Sequence, residues 1–231
     1  MQRGNNGQPI VMDDTDARAL VELVISSAVQ ADVALHAYVV VATEFQVLAT
    51  PSTATSMPAF MQTVGRKYVR HFNDRHARSG TLWEGRYRST LVQPERYGLP
   101  VMVYMDLLPV ETGAVLDPAA HDWSSHRHYA GETAQRAIAP HPVFWSLGNT
   151  PFAREQAYRQ AVAFGLSASE RTFLFRSLRQ GWPLGDNAYL AKVADLARRR
   201  VEPKRPGRPA GKPVPNISTR DAGEIKWESD P

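Results

Sequence analysis

Leu35-His-Ala-Tyr-Val-Val-Val-Ala-Thr-Glu-Phe-Gln-Val-Leu-Ala-Thr-Pro51 is the stretch on which the fold turns. Apolar and polar residues alternate on both sides of a short Ala42-Thr43 break, the pattern of a half-buried β-hairpin. Glu44 and Gln46 stand two apart on the second strand, so their side chains share one face. Both offer oxygen, and Mg²⁺ or Mn²⁺ accepts carboxylate and carbonyl donors.

On the N-terminal side of the hairpin, Asp13 or Asp14 can cap a helix through Ala17–Val29, whose apolar residues fall at roughly helical spacing. On the C-terminal side, Pro58 sits near the first turn of a second helix, from about Ala59 to His76. Its Phe60, Val64, Tyr68 and Phe72 repeat every four residues and form the inward stripe, which leaves Gln62, Arg66, Lys67 and Arg70 mostly outside it. Ser79-Gly80 breaks that helix. Thr81–Gln93, rich in aromatic and β-branched residues with alternating Arg86 and Arg88, reads as a strand. Pro94 opens a third helix, about Glu95 to Leu107, which Pro109 is expected to end.

This order predicts an α+β fold with a ferredoxin-like or RRM-like antiparallel sheet and helices on one side, over residues 1–130. Residues 131–200 read as a small helical region, with helices at Glu155–Phe164, Ala168–Gln180 and Asp186–Arg200 and breakers at Gly181 and Gly185. Residues 201–231 form a basic tail with five prolines in its first fifteen positions, a composition that cannot build a core and reads as disordered.

The chain of 231 residues is 43% hydrophobic and 22% charged, enough to bury a core. No apolar run approaches a membrane span, and Met1-Gln-Arg-Gly-Asn-Asn lacks the apolar region of a signal peptide, which together point to the cytoplasm. The absence of cysteine excludes disulfides and thiolate metal sites. Net charge is +4 and the pI near 9.5. Lys and Arg are concentrated: seven against two acids between Gly65 and Thr90, and seven against one between Arg198 and Lys212. Such clusters suit a polyanion, since each neutralised phosphate releases counterions, and they also suit a solvated basic face.

Several segments, in order, resemble one family. Gln2-Arg-Gly-Asn-Asn-Gly-Gln-Pro-Ile10 is similar to Q-R-G-N-N-R-x-x-I/V-F, and the hairpin to L-H-A-Y-V-L-M-P-N-H-x-H-L-L-x-T-P. Ser79-Gly-Thr-Leu-Trp-Glu-Gly-Arg-Tyr-Arg88 is similar to G-T-L-W-x-G-R-Y-K, Tyr104-Met-Asp-Leu-Leu-Pro-Val-Glu-Thr-Gly113 to Y-I-E-L-N-P-V-R-A-G, and Trp123-Ser-Ser-His-Arg127 to W-S-S-Y-R. The family is that of the REP-associated tyrosine transposases, HUH single-strand transposases of mobile elements. The resemblance implies DNA transposition through a phosphotyrosine intermediate, with Tyr104 in the nucleophile position and a divalent metal, Mg²⁺ or Mn²⁺, at the scissile phosphate. Read from the residues alone, Tyr104 is a tyrosine packing on a helix face.

The chain departs from that pattern in three places. Glu44 and Gln46 replace the two metal-binding histidines, and Leu108 replaces the Asn of N-P-V. The family's strand before Q-R-G-N-N has no counterpart ahead of Gln2, so either that strand is absent and a sheet edge lies exposed, or the start lies upstream. These changes imply impaired nicking, with Glu44 and Gln46 as a weak replacement metal site. Asp106, roughly opposite Tyr104 on its helix, reads as surface charge. His126-Arg-His128 has a ligand-like spelling but follows the W-S-S segment, away from the metal strand.

Arg66, Lys67, Arg70, Arg86 and Arg88 are the candidates for phosphate contacts, with Trp83 and Tyr87 available either to stack on unpaired bases or to pack under the second helix. In the tail, Arg205 and Arg208 lie in Lys204-Arg-Pro-Gly-Arg-Pro-Ala-Gly-Lys212, which fits an AT-hook in the minor groove of A·T-rich duplex or a plain basic linker. The partner expected is single-stranded or hairpin DNA, bound by a monomer or homodimer and with no membrane. The alternatives are an active metal-dependent transposase using Tyr104 with Glu44 and Gln46, and a repurposed DNA-binding regulator.

Overall fold

A computed structural model describes residues 1–197 and residue 201. It is an α+β fold. Three antiparallel strands, β1 (Gln2–Arg3), β2 (Val33–Val41) and β3 (Glu44–Pro51), lie in the order β1-β3-β2. The hairpin forms as expected: Val41 pairs with Glu44 across the Ala42-Thr43 turn, with one irregularity near His36. Between β1 and β2 runs α1 (Asp14–Gln30), whose cap is Asp13; its Oδ1 accepts from the Thr15 and Asp16 N–H groups at 2.9 and 3.1 Å. The hairpin leads into α2 (Ser56–Arg75), which buries Phe60, Val64, Tyr68 and Phe72 on one stripe.

Helices occupy both faces of the sheet, against the expectation of one. Phe45 packs on Trp83 with ring centroids 5.8 Å apart, and the Trp83 indole N–H donates to Gly65 of α2, so α2 covers the Phe45 face. Gln46, one residue on, points to the opposite face and meets α3 (Leu99–Glu111) at Tyr104. The reason is visible in β2, buried at every position except Ala34; a strand covered on both sides reads as a near-continuous apolar run.

Thr81–Gln93 is not a strand. It runs beside the N-terminal segment through scattered bonds, Asn5 N–H to Leu82 O, Glu84 N–H to Arg3 O and Arg88 N–H to Met1 O, each 2.9 Å, with a single isolated bridge at Gly4 and Trp83. Between Glu84 and Arg88, Gly85 adopts φ +103°, a left-handed conformation that interrupts a ladder. Nor does Pro109 stop α3: the helix begins after a π turn at Pro94–Gly98 and continues to Glu111. So near the C-terminus the proline forfeits only the one N–H bond to Met105 O, and the last turn is closed by Thr112, whose backbone N–H and hydroxyl both donate to Leu108 O, at 2.9 and 3.0 Å.

Beyond lie α4 (His126–Tyr129), α5 (Pro142–Trp145), α6 (Pro151–Phe164), α7 (Ala168–Gln180) and α8 (Asn187–Ala197). The helix expected from Asp186 to Arg200 is described as far as Ala197, and the tail residues Arg205 and Arg208 lie outside the described residues. Packing is continuous across residue 130. The Tyr129 hydroxyl donates to His36 O at 2.5 Å, and Leu184 exchanges backbone bonds of 2.8 and 2.7 Å with Leu91 and Gln93. Among the described residues no helix is long and apolar enough to cross a membrane.

Candidate functional site

The β1–β3 ladder and α3 converge on Glu44, Gln46 and Tyr104, so the structure brings the three together. Gln46 Nε2 donates to Glu44 Oε1 at 2.7 Å, and Arg3 Nε lies 2.9 Å from Glu44 Oε2. Arg3 also reaches Glu84 at 3.3 Å. Tyr104 is 3% exposed. Burial pushes its phenol up to about 12; the Glu44 and Glu111 carboxylates add to the rise, while a hydrogen bond with Gln46 offsets part of it. A tyrosine nucleophile needs its proton removed, and this environment holds the proton on.

The donor set does not fit a resident Mg²⁺ or Mn²⁺. Each Glu44 oxygen is already engaged, one by a guanidinium whose positive charge stands where a cation would bind. Gln46 turns its amide nitrogen toward Glu44, and Leu108 is apolar. Among the described residues no three His, Asp or Glu side chains converge as a ligand group.

Asp106 is not surface charge. It is 1% exposed, and its Oδ2 accepts from the Tyr158 hydroxyl at 2.6 Å and bonds His126 Nδ1 at 2.8 Å, tying α3 to α4 and α6. His128 Nδ1, in turn, accepts the Gln135 N–H at 3.2 Å. The signal in the sequence was a lone acid within Val101-Met-Val-Tyr-Met-Asp-Leu-Leu108, apolar all round; such a carboxylate must be buried and satisfied. Arg3 left no comparable signal, because its partner depends on the strand register.

The second convergence lies on the other face. Arg66 and Arg70 of α2, Arg86, Trp83 and Tyr87 line one cleft of about 880 Å³, floored by Phe45 and Met61. Lys67 lies beside it, with Arg66, Arg70, His71 and a single acid, Asp74. Arg88 is turned away toward Met1 and Thr90, so it does not join the cleft. The Trp83 indole N–H is fixed to Gly65 O at 3.2 Å, so this residue packs against the core and still presents a surface to the cleft. No protein-family model, no curated protein and no solved structure matches this chain.

Proposed function

We propose that the protein binds single-stranded or hairpin DNA on a transposase-like scaffold of the HUH tyrosine class, with its nicking chemistry lost or impaired, and that it works in the cytoplasm. The observation that carries the binding is the cleft in which three arginines surround Trp83 and Tyr87. Arginines hold phosphates while aromatic faces hold unpaired bases, a combination suited to single strands rather than duplex. Impaired nicking is supported by the Glu44 carboxylate, closed by Arg3 and Gln46, and by the burial of Tyr104, which makes its phenol harder still to deprotonate. The active-enzyme alternative has in its favour that Tyr104, Glu44 and Gln46 lie together, which the pairing of Glu44 with Arg3 offsets.

The test uses the full chain and a Tyr104→Phe variant with labelled hairpin DNA and Mn²⁺. Both are expected to retard the DNA at low salt, and neither to leave a denaturation-resistant adduct. An adduct formed by the parent alone overturns the loss of chemistry. Absence of retardation at low salt overturns the DNA-binding reading itself.

A further inference from the structure

We infer that the cleft between α2 and the Trp83–Tyr87 segment takes one unpaired DNA base, with the neighbouring phosphates on Arg66, Arg70 and Arg86. This rests on the DNA-binding reading above and assigns the cleft its ligand.

Size comes first: about 880 Å³ is within the range of clefts that enclose small organic groups. Its interior is apolar, with Phe45, Met61 and Val69 below and Trp83 at the side. Trp83 is held in orientation by its N–H bond to Gly65 O and by edge contact with Phe45, so a stacking surface exists before any ligand arrives.

Charge then selects among flat apolar ligands. Arg3, Arg75, Arg127 and Arg171 are each paired with carboxylates, whereas Arg66, Arg70 and Arg86 enter none of the ion pairs among the described residues. All three are exposed at the cleft. An apolar interior beneath guanidinium groups that form no ion pair matches a nucleotide, whose base is flat and apolar on its faces and whose phosphates are anionic. A paired base cannot enter, because its faces are covered by its neighbours in the stack.

The experiment measures binding of the full chain to three labelled probes at fixed salt: a thymidine strand, a strand of equal length built from abasic sites, and a paired duplex. The abasic strand is expected to bind about tenfold more weakly than the thymidine strand, the loss of one stacked base. Its affinity should keep the same dependence on salt, since the phosphates are unchanged. Ala59→Phe, from an exposed position on the cleft wall, fills the space without touching the core. It is expected to lower thymidine-strand affinity to the abasic level and leave the abasic strand unaffected. Trp83→Ala should do the same, but its packing role makes Ala59→Phe the deciding variant. Equal binding of thymidine and abasic strands overturns the base site while leaving DNA binding intact, as does an Ala59→Phe variant with full affinity. Binding of none of the probes removes the DNA-binding reading and this inference together.

Discussion

Arg3 faces Glu44 directly across the β1–β3 ladder, its Nε 2.9 Å from Glu44 Oε2. The pair does two things. It ties a strand of only two residues to the sheet, and it sets a guanidinium against the Glu44 carboxylate. Partial burial of both side chains, 19% and 13% exposed, keeps water from screening the contact fully. Arg3→Ala is therefore expected to lower stability by about 1 kcal/mol, the upper end of the range for an ion pair that water still reaches. In a double-mutant cycle with Glu44→Gln, urea unfolding should return a coupling of about 1 kcal/mol. Additive single effects would show that Arg3 does not hold Glu44.

Asp106 ties α3 to the C-terminal helices through His126 and Tyr158. Asp106→Ala removes the acceptor and leaves two buried donors without partners, a loss expected to reach about 3 kcal/mol or more. Tyr158→Phe removes one donor and should cost less, about 1–2 kcal/mol. Thermal unfolding of the two variants checks the order. If Tyr158→Phe is the more damaging, ring packing rather than the hydrogen bond governs this junction.

Stability should fall as the solution is acidified from neutrality. His121, His128 and His141 are all held below the ordinary histidine value of 6.5, chiefly because burial disfavours the charged ring. The folded chain then binds fewer protons than the unfolded chain. Their contribution is complete above about 6.5 and is lost as the pH falls through the lowered folded values. Geometry explains the sign at two of them: His128 Nδ1 accepts from Gln135 N and His141 Nδ1 from Val143 N, each at 3.2 Å, and a proton there would face another donor. Asp13, Glu170 and Asp186 sit below their ordinary carboxylate range through hydrogen bonds, so their share is lost only in more acidic solution. Urea midpoints between pH 7.5 and 5 measure the histidine window; a flat profile there would contradict it.

Single Ala substitutions at Arg66, Lys67, Arg70 and Arg86 should weaken binding of single-stranded DNA without regard to its sequence. For each residue that neutralises a phosphate, the slope of log affinity against log salt should fall by about 0.7, the single-strand value. Arg88→Ala, turned away from the cleft, should leave the slope unchanged. A loss at Arg88 equal to that at Arg70 would place the DNA path along β1 instead.

Helix and hairpin patterns were readable because they are local. Asp13 caps α1, the Phe60-Val64-Tyr68-Phe72 stripe is buried, and the Ala42-Thr43 turn lies where alternation breaks. The failures were equally physical. Thr81–Gln93 has the composition of a strand, but Gly85 takes a positive φ and the segment meets β1 only intermittently. Helices on both sides left one local trace, the unbroken Val39-Val40-Val41 run of β2, but which elements cover the two faces is decided by its neighbours.

The sequence by itself determined the α+β class, the hairpin with Glu44 and Gln46 on one face, and which basic and aromatic residues are available for a polyanion. These follow from backbone periodicity and side-chain type, which short windows contain. Tertiary structure alone decided that Arg3 closes on Glu44, that Asp106 is buried between His126 and Tyr158, and that Arg66, Arg70 and Arg86 share a cleft from which Arg88 is excluded. Each depends on strand register or on residues tens of positions apart meeting across the core, and no local pattern specifies such a meeting.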